Sequence, residues 1–223
     1  MASSGLFVWE AQNLGKSART RARLMDAAVL LFARDGYEAA SVNEIARVAD
    51  VANGTFYVHF RDKDDIAAAV AFRIAEGVVG QLDDAMVDVT DALERISTAT
   101  RRFISLAASA PDWGRALFRA LWLFDDLRSN VTLHLRADLQ LGVRQGAITA
   151  EIDDFLIDTF AAMTLNALFG QLQGAFASDA GSRVAELQLR MLGVPPDKAR
   201  QVAWREIAEA PLQLVPLLRP AAS

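Results

Sequence analysis

The stretch that decides the fold is SVNEIARVADVANGTFYVHFRDK, which runs from Ser41 to Lys63. It predicts two short helices joined by a tight turn. Ser41, with Glu44 three residues later, forms the capping-box pattern that satisfies free N–H groups at a helix start. Apolar residues then recur at helical spacing and predict one inward face on the first helix. These residues are Val42, Ile45, Ala46 and Ala49.

The second helix of this pair carries polar side chains outward. Only residues 49–51 separate the two helices, and so short a connection forces a sharp angle, as in a helix-turn-helix. Val51, Phe56 and Phe60 are suited to burial, which leaves the alternate positions exposed. The exposed positions are Asn53, Thr55, Tyr57 and His59. This face is therefore suited to contacting a partner.

Composition narrows the class of protein. The chain has 223 residues, of which 52% are apolar, and this is enough for a substantial globular core. The absence of cysteine excludes disulfides, thiolate zinc sites and cysteine nucleophiles. The apolar run 6–9 is too short for a signal peptide, so we expect a cytoplasmic protein. The net charge of −5 means that any binding to DNA depends on where basic groups are placed.

The residues before the quoted stretch predict an extension and one helix. Residues 1–15 have no sustained periodicity, and we expect them to be flexible. The basic run 16–23, KSARTRAR, predicts either a solvated helix start or an arm that reaches phosphates or the minor groove. Apolar residues at helical spacing predict a helix from Leu24 that ends at Gly36.

The residues after the quoted stretch show helical periods throughout and no alternating strand pattern. An all-α chain is therefore predicted. The predicted helices cover residues 64–86, 91–109, 113–124, 127–145, 155–174, 182–192 and 197–209.

Residues 155–177 are apolar on nearly every side of a helix. A run of this length is able to span a bilayer, but Asp158, Asn166 and Gln171 interrupt it. We interpret it as a buried helix at a subunit interface and expect no membrane partner. An ordinary intradomain helix is the other alternative.

The N-terminal residues resemble the TetR/AcrR family of transcriptional regulators. The resemblance covers about residues 23–66. It rests on LMDAA (24–28), FARDGY (32–37), SVNEIA (41–46), GTFYVHF (54–60) and Lys63. It implies an all-α dimeric regulator with a three-helix helix-turn-helix DNA-binding domain and a C-terminal helical ligand-binding and dimerisation domain. Accordingly, we expect a flexible extension over 1–15, the DNA-binding domain over 16–66 and the second domain over 67–223.

The same resemblance implies which residues contact DNA. Asn53, Gly54 and Thr55 lie at the front of the recognition helix, where family members meet bases and backbone. The positions that hold phosphates are Ser41, Tyr57, His59 and Lys63. Hydroxyl, imidazole and ammonium groups suit that role because they bind phosphate oxygens.

Two positions depart from the family pattern. The family usually has glycine where Asp50 stands and a small hydroxyl residue where Ala52 stands. Asp50 tolerates the left-handed conformation better than most non-glycine residues, although its charge weakens attraction to phosphates. Ala52 has no side-chain group that could cap the recognition helix.

Aromatic residues in the C-terminal part predict either a cavity for a hydrophobic effector or ordinary core packing. Large ligand pockets are mostly apolar with a few polar groups that orient the ligand. His134 is either a core residue or one of those polar groups. The candidate ligand-binding residues are Phe103, Trp113, Phe118, Trp122, His134, Met163, Asn166 and Phe169.

An enzyme is disfavoured, and we expect no cofactor and no metal site. The two histidines are far apart in the sequence, and there is neither a glycine-rich phosphate loop nor a metal-ligand spacing. We expect a homodimeric repressor that a small hydrophobic effector releases from a palindromic double-stranded DNA operator. The alternative is a helical protein-interaction or scaffold module that no longer binds specific DNA.

Overall fold

The computed structural model describes residues 7, 11, 13–109, 111, 114–115, 118, 121 and 125–207, and these form helices without any strand. The predicted all-α fold is confirmed. The helices are α1 (Lys16–Asp35), α2 (Val42–Val48), α3 (Asn53–His59), α4 (Lys63–Asp84), α5 (Ala92–Ser109), α6 (Asp125–Arg144), α7 (Asp154–Leu172), α8 (Ala180–Met191) and α9 (Pro196–Ala203).

The described residues form two compact units, one up to Ile74 and one from Ala75 onward. In the first unit α1 packs on α2, and α2 packs on α3. Its core consists of side chains that are almost completely buried: Leu24, Leu31, Ile45, Phe56, Phe60 and Ile66. The apolar spacing of the helix-turn-helix stretch therefore does produce an inward face.

Helix α1 begins at Lys16, eight residues before the predicted start at Leu24. The run 16–23 lacks an apolar period, but Ala, Arg and Lys are good helix formers and need none to extend a helix. The Thr20 hydroxyl donates to the Lys16 carbonyl oxygen inside this first turn. The basic run is thus part of the helix rather than a segment before it, and its contact with phosphates or the minor groove stays a prediction.

Two residues of the predicted flexible extension are packed. Phe7 and Ala11 are both buried, because the Phe7 ring is apolar and its backbone N–H finds an acceptor in Asp26 Oδ1 at 2.9 Å. The Ala11 N–H donates to the Phe7 carbonyl oxygen. The structure differs from the prediction at these positions, and the domain boundaries themselves remain predictions.

The second unit is built around α5, α7 and α8, which pack on one another, while α9 packs on α8 and α5. Helix α7 begins at a cap, since Asp153 accepts a hydrogen bond from the Leu156 N–H. The buried cluster at the centre of this unit includes Leu93, Ile96, Leu139, Ile157, Phe160, Leu189 and Leu192.

The C-terminal predictions differ from the structure in detail. The predicted helix 113–124 lies mostly outside the described residues. Helix α9 ends at Ala203 rather than near residue 209, and Trp204 follows with its indole N–H bonded to the Glu186 carboxylate.

Helix α7 is long and apolar enough to cross a membrane by length and composition alone. In this unit it packs on α5 and α8, and Ile157, Phe160 and Leu168 are buried in the core. It is therefore a core helix of the second unit. Its opposite side is exposed and includes Phe155 and Phe169.

Candidate nucleic-acid interface and ligand cavity

The helix-turn-helix starts from a capped helix. Ser41 Oγ accepts a hydrogen bond from the Glu44 backbone N–H at 3.3 Å, which caps α2. The Glu44 carboxylate accepts from the Ser41 hydroxyl at 3.1 Å rather than from the Ser41 backbone, so only half of the expected capping box is formed. Ser41 is exposed and lies at the helix N-terminus, where free N–H groups attract anions.

Asp50 makes the turn between α2 and α3. It is the only non-glycine residue with a positive φ in the described part of the chain, at 53°. The predicted left-handed conformation at this position is confirmed. The Arg23 guanidinium donates to the carbonyl oxygens of Ala49 and Asp50 and pairs with the Asp50 carboxylate at 3.2 Å. The Arg23 guanidinium of α1 thus holds the turn. It also partly neutralises the negative charge of Asp50, which stands where the family usually has glycine.

The recognition helix α3 has a buried side and an exposed side. Phe56 and Phe60 face the core, with ring centroids 5.8 Å apart. Ala52 precedes the helix without any side-chain capping bond, as its sequence predicts. The opposite side consists of exposed Asn53, Gly54 and Tyr57 with half-buried Thr55 and His59.

One residue of this exposed face is missing from the sequence-based set. Val58 is 78% exposed, although its side chain is apolar. It follows Thr55 by three positions and Gly54 by four, so it shares their side of the helix. Its spacing of three residues from Thr55 is the sequence signal from which the exposure of Val58 could have been predicted.

Lys63 is less available than its predicted phosphate role requires. Its ammonium group donates to the carbonyl oxygens of Tyr37 and Glu38, at 2.9 and 3.4 Å, and lies 4.4 Å from the centre of the Tyr37 ring. These contacts fix the start of α4 against the end of α1. A phosphate at this position would share the ammonium group with the Tyr37 carbonyl.

The basic residues of α1 divide into two kinds. Arg21 lies over the Phe60 ring at 4.8 Å, and Arg23 holds the turn, so both have structural contacts. Lys16 and Arg19 are exposed at the beginning of the helix.

The second unit contains a cavity of about 120 Å³ with mostly apolar walls. Its lining comes from the last turns of α4, from α5, α6 and α7, and from Leu121. The apolar lining residues include Val79, Leu82, Met86, Ile96, Phe103, Leu121, Leu135, Phe160 and Leu165.

A polar group of side chains lies on one wall of this cavity. His134 Nδ1 is 2.6 Å from Asp83 Oδ2, and both residues line the cavity together with Asp138. Arg95 lies behind them, with its Nε 2.6 Å from Asp138 Oδ1 and its Nη2 3.8 Å from Asp83 Oδ1. Arg95 also donates to the Met86 carbonyl oxygen at 2.9 Å.

The structure places two of the predicted ligand residues on the cavity wall, Phe103 and His134. His134 is half-exposed, so it is not a core residue. Trp113 and Trp122 lie outside the described residues. Phe118, Met163, Asn166 and Phe169 do not line the cavity.

The helical periodicity of α7 explains why its predicted ligand residues lie outside the cavity lining. Residues 160, 161, 164 and 165 face the cavity, whereas Asn166 and Phe169 lie on the exposed side of the same helix. Phe169 instead stacks on Phe118, with ring centroids 4.8 Å apart. Sequence reasoning missed two acids of this wall. Asp83 comes next to His134 only through the contact between α4 and α6. Asp138 follows His134 by four positions on α6, so helical spacing could have identified it.

Together, the helix-turn-helix and the separate helical unit with its cavity define a class of DNA-binding protein with a helical companion domain. Comparison with known proteins also indicates a DNA-binding protein. Residues 24–70 match the family described as bacterial regulatory proteins, tetR family. The N-terminal unit therefore belongs to the TetR family of DNA-binding domains, and the proteins that this chain resembles are transcriptional regulators rather than enzymes.

Individual relatives cover different parts of the chain. The transcriptional regulator AcrR of Shigella flexneri is 34% identical over 68 residues, which is 30% of this chain and 31% of AcrR. The fatty acid metabolism regulator protein of Bacillus subtilis is 26% identical over 59% of this chain and 72% of its own length. The solved structure of RolR in complex with resorcinol is 27% identical, covers 87% of this chain and 97% of RolR, and superposes with a TM-score of 0.64.

Proposed function

We propose that this regulator is a homodimeric repressor that binds a palindromic operator and is released by a small, mainly apolar effector. The observation that carries the proposal is the exposed side of α3, where polar groups and Val58 surround a helix whose other side is anchored by buried Phe56 and Phe60. A helix fixed in this way presents its outer side to the major groove of DNA. Such a role also locates the protein in the cytoplasm.

The residues of this side divide by chemistry into two roles. Asn53 and Thr55 read base edges, because amide and hydroxyl groups bond to them, and Val58 contacts thymine methyl groups. Gly54 lets the backbone approach the DNA closely. Phosphates are bound by Ser41, Tyr57 and His59, which position the helix without reading sequence. Lys63 adds a weaker phosphate contact, because its ammonium group is shared with the Tyr37 carbonyl oxygen.

The effector acts by changing the distance between the recognition helices of the two subunits. In a dimer these must lie about one DNA turn apart, roughly 34 Å, to enter successive major grooves. Helix α4 starts directly after the recognition helix, at Lys63, and ends at Asp84 beside the cavity-lining residue Asp83. A molecule bound in the cavity therefore acts on the end of the helix whose beginning supports the DNA-binding face.

The cavity also limits the size of the effector. An apolar cavity of about 150 Å³ holds benzene, so one of about 120 Å³ suits a single ring or a compound of similar size. RolR, which was solved with resorcinol, supports an effector of this size. A long acyl chain would need a larger space.

A gel-shift or anisotropy experiment on operator and random DNA at matched salt tests the DNA-binding part of the proposal. The operator is first selected from a random pool by the purified protein. We expect Tyr57→Phe to weaken binding to all sequences similarly, whereas Asn53→Ala and Val58→Ala change the preferred sequence. Arg200→Ala, an exposed basic residue of α9, is the matched control and leaves binding unchanged.

The alternative of a scaffold module makes the opposite prediction. Equal weak binding to operator and random DNA, unaffected by Asn53→Ala or Val58→Ala, would favour the scaffold. It would also remove the recognition role of α3.

A further inference from the structure

The polar wall of the cavity offers hydrogen-bond acceptors to a bound molecule. His134 Nδ1 lies 2.6 Å from Asp83 Oδ2, which places the ring proton of a neutral imidazole on Nδ1. The other ring nitrogen, Nε2, is then an acceptor. Among the described residues no donor is bonded to it.

Asp138 supplies a second acceptor. Its Oδ1 is bonded to Arg95 Nε at 2.6 Å, while Oδ2 receives no hydrogen bond from the described residues. The Arg95 guanidinium is occupied by Asp138, Asp83 and the Met86 carbonyl oxygen, and it is not part of the cavity lining. Arg95 therefore partly neutralises the negative charge of Asp83 and Asp138 but does not contact a ligand in the cavity.

Charge decides which ligands this wall accepts. A carboxylate would meet Asp83 and Asp138, and the described lining residues include no lysine or arginine to pair with it, so anionic ligands are repelled. A purely apolar ring would cover the Asp138 side chain, which is only 13% exposed, and leave its Oδ2 without a partner. A neutral ring that carries a hydroxyl group avoids both costs, because the hydroxyl hydrogen bonds to an acceptor while the ring fills the apolar space.

We infer that the cavity binds a neutral, single-ring compound of the phenol class, with its hydroxyl groups held by His134 and Asp138. This inference rests on the proposed function and names the chemical class of the effector. The apolar lining, which includes Phe103 and Leu165, contacts the ring, and the Asp83 carboxylate keeps the His134 ring in the required orientation. A compound with two hydroxyl groups would satisfy both acceptors at once.

Calorimetric titration of the full-length protein tests the inference with four ring probes of similar size: phenol, toluene, benzoate and benzylamine. We expect phenol to bind at least about 10-fold more tightly than toluene, because a site that bonds to a hydroxyl discriminates against an analogue that lacks it. Benzoate and benzylamine should bind more weakly than phenol. Tighter binding of benzylamine would show a site for cations and overturn the inference, as would equal binding of phenol and toluene.

Variants connect the preference to the named residues. His134→Ala should lower the affinity for phenol about 10-fold or more and leave that for toluene within about twofold. Asp138→Asn keeps the shape of the side chain and serves as a second test if His134→Ala unfolds. An amide in place of the carboxylate should also reduce the preference for phenol over toluene. Asp158→Asn, at an exposed acid on α7 outside the cavity, is the control and should bind phenol normally. Equal losses for phenol and toluene in His134→Ala would contradict a hydroxyl contact.

The same samples separate failure of this inference from failure of the proposed function. Selective operator binding without a preference for phenol would overturn the ligand class and leave the regulator intact. A preference for phenol without selective operator binding would do the reverse.

Discussion

At the residue scale, the first turn of α4 depends on two aspartates. The Asp65 N–H donates to Asp62 Oδ1 at 2.8 Å, and the Arg61 N–H donates to Asp65 Oδ2 at 2.9 Å. This backbone hydrogen bond from Arg61 lowers the pKa of the Asp65 carboxyl from its ordinary value, with the Arg61 side chain acting in the same direction. Asp62 therefore caps the helix, while Asp65 holds the backbone of Arg61 before it and titrates with folding.

We predict that Asp65→Asn lowers the free energy of unfolding by about 1 kcal/mol at pH 7, because a neutral amide oxygen accepts the Arg61 N–H more weakly than a carboxylate does. Because the folded-state pKa is lowered, this stabilisation is present above the unfolded pKa of about 4 and is lost as pH falls through the folded value. Urea denaturation at several pH values measures the difference. Asp88→Asn, at an exposed acid, is the control and should leave the free energy of unfolding unchanged at pH 7. A difference from wild type that persists at low pH would contradict the assignment.

Arg23 is the second residue whose role is open to measurement. It bonds to two carbonyl oxygens of the turn and to the Asp50 carboxylate, so its loss leaves the turn unsupported. We predict that Arg23→Ala lowers the free energy of unfolding by about 1–2 kcal/mol, with urea denaturation as the readout. Arg19→Ala, four residues earlier and exposed, should cost much less.

The Asp50 carboxylate contributes less than the two carbonyls, because its side chain is 97% exposed and such ion pairs are weak. Asp50→Asn should therefore be milder than Arg23→Ala. The reverse order would show that the ion pair, and not the carbonyl bonds, holds the turn.

At the element scale, one buried glutamine joins three helices. Gln188 of α8 is completely buried; it accepts from the Thr100 hydroxyl at 2.8 Å and donates to the Phe160 carbonyl oxygen and to Thr164 Oγ1. We predict that Gln188→Ala destabilises the protein by about 3 kcal/mol, because it leaves polar partners unpaired and opens a void. Thermal denaturation measures the loss. Ser97→Ala makes the comparison, since Ser97 Oγ is buried without a partner among the described residues and its removal should be neutral or stabilising.

The exposed side of α7 is the element that the proposed dimer requires. Ala162 and Asn166 lie on it between the exposed rings of Phe155 and Phe169, and an apolar surface of this kind is typical of a subunit interface. We predict that Ala162→Arg shifts the protein from dimer to monomer in analytical ultracentrifugation. Ala137→Arg, on the exposed part of α6, should leave the mass unchanged. A monomeric wild type would contradict the homodimer.

A helix was predicted well where its sequence carries local signals and poorly where its position depends on packing. The helices from Ser41 to the end of α4 were predicted well because caps and apolar spacing are local signals. The start of α1 was missed because its first turns contain helix-forming residues without an apolar period. In α7 nearly every position is apolar, so periodicity gave no information on which side faces the cavity. Met163, Asn166 and Phe169 lie outside its lining, and their contact with a ligand stays a prediction. The Asp83–His134 pair arises from packing between distant segments, which no local pattern reports.

At the scale of the whole molecule, the proposed mechanism is a thermodynamic linkage between effector and operator. An effector releases the operator only if it prefers the conformation that does not bind DNA, and a complete reversal from 1:99 to 99:1 requires roughly a 10⁴-fold preference. Reciprocity then fixes a quantitative relation, because the factor by which effector lowers operator affinity must equal the factor by which operator lowers effector affinity.

We predict that any ring probe that binds the cavity will bind free protein more tightly than operator-bound protein, by the same factor by which it weakens operator binding. Calorimetry with and without operator gives one factor, and anisotropy with and without probe gives the other. Ala161→Trp, which fills the cavity from α7, should abolish the response to the probe and preserve operator binding. Equal probe affinities for free and operator-bound protein would rule out release by this mechanism, because a ligand without differential affinity shifts no equilibrium however tightly it binds.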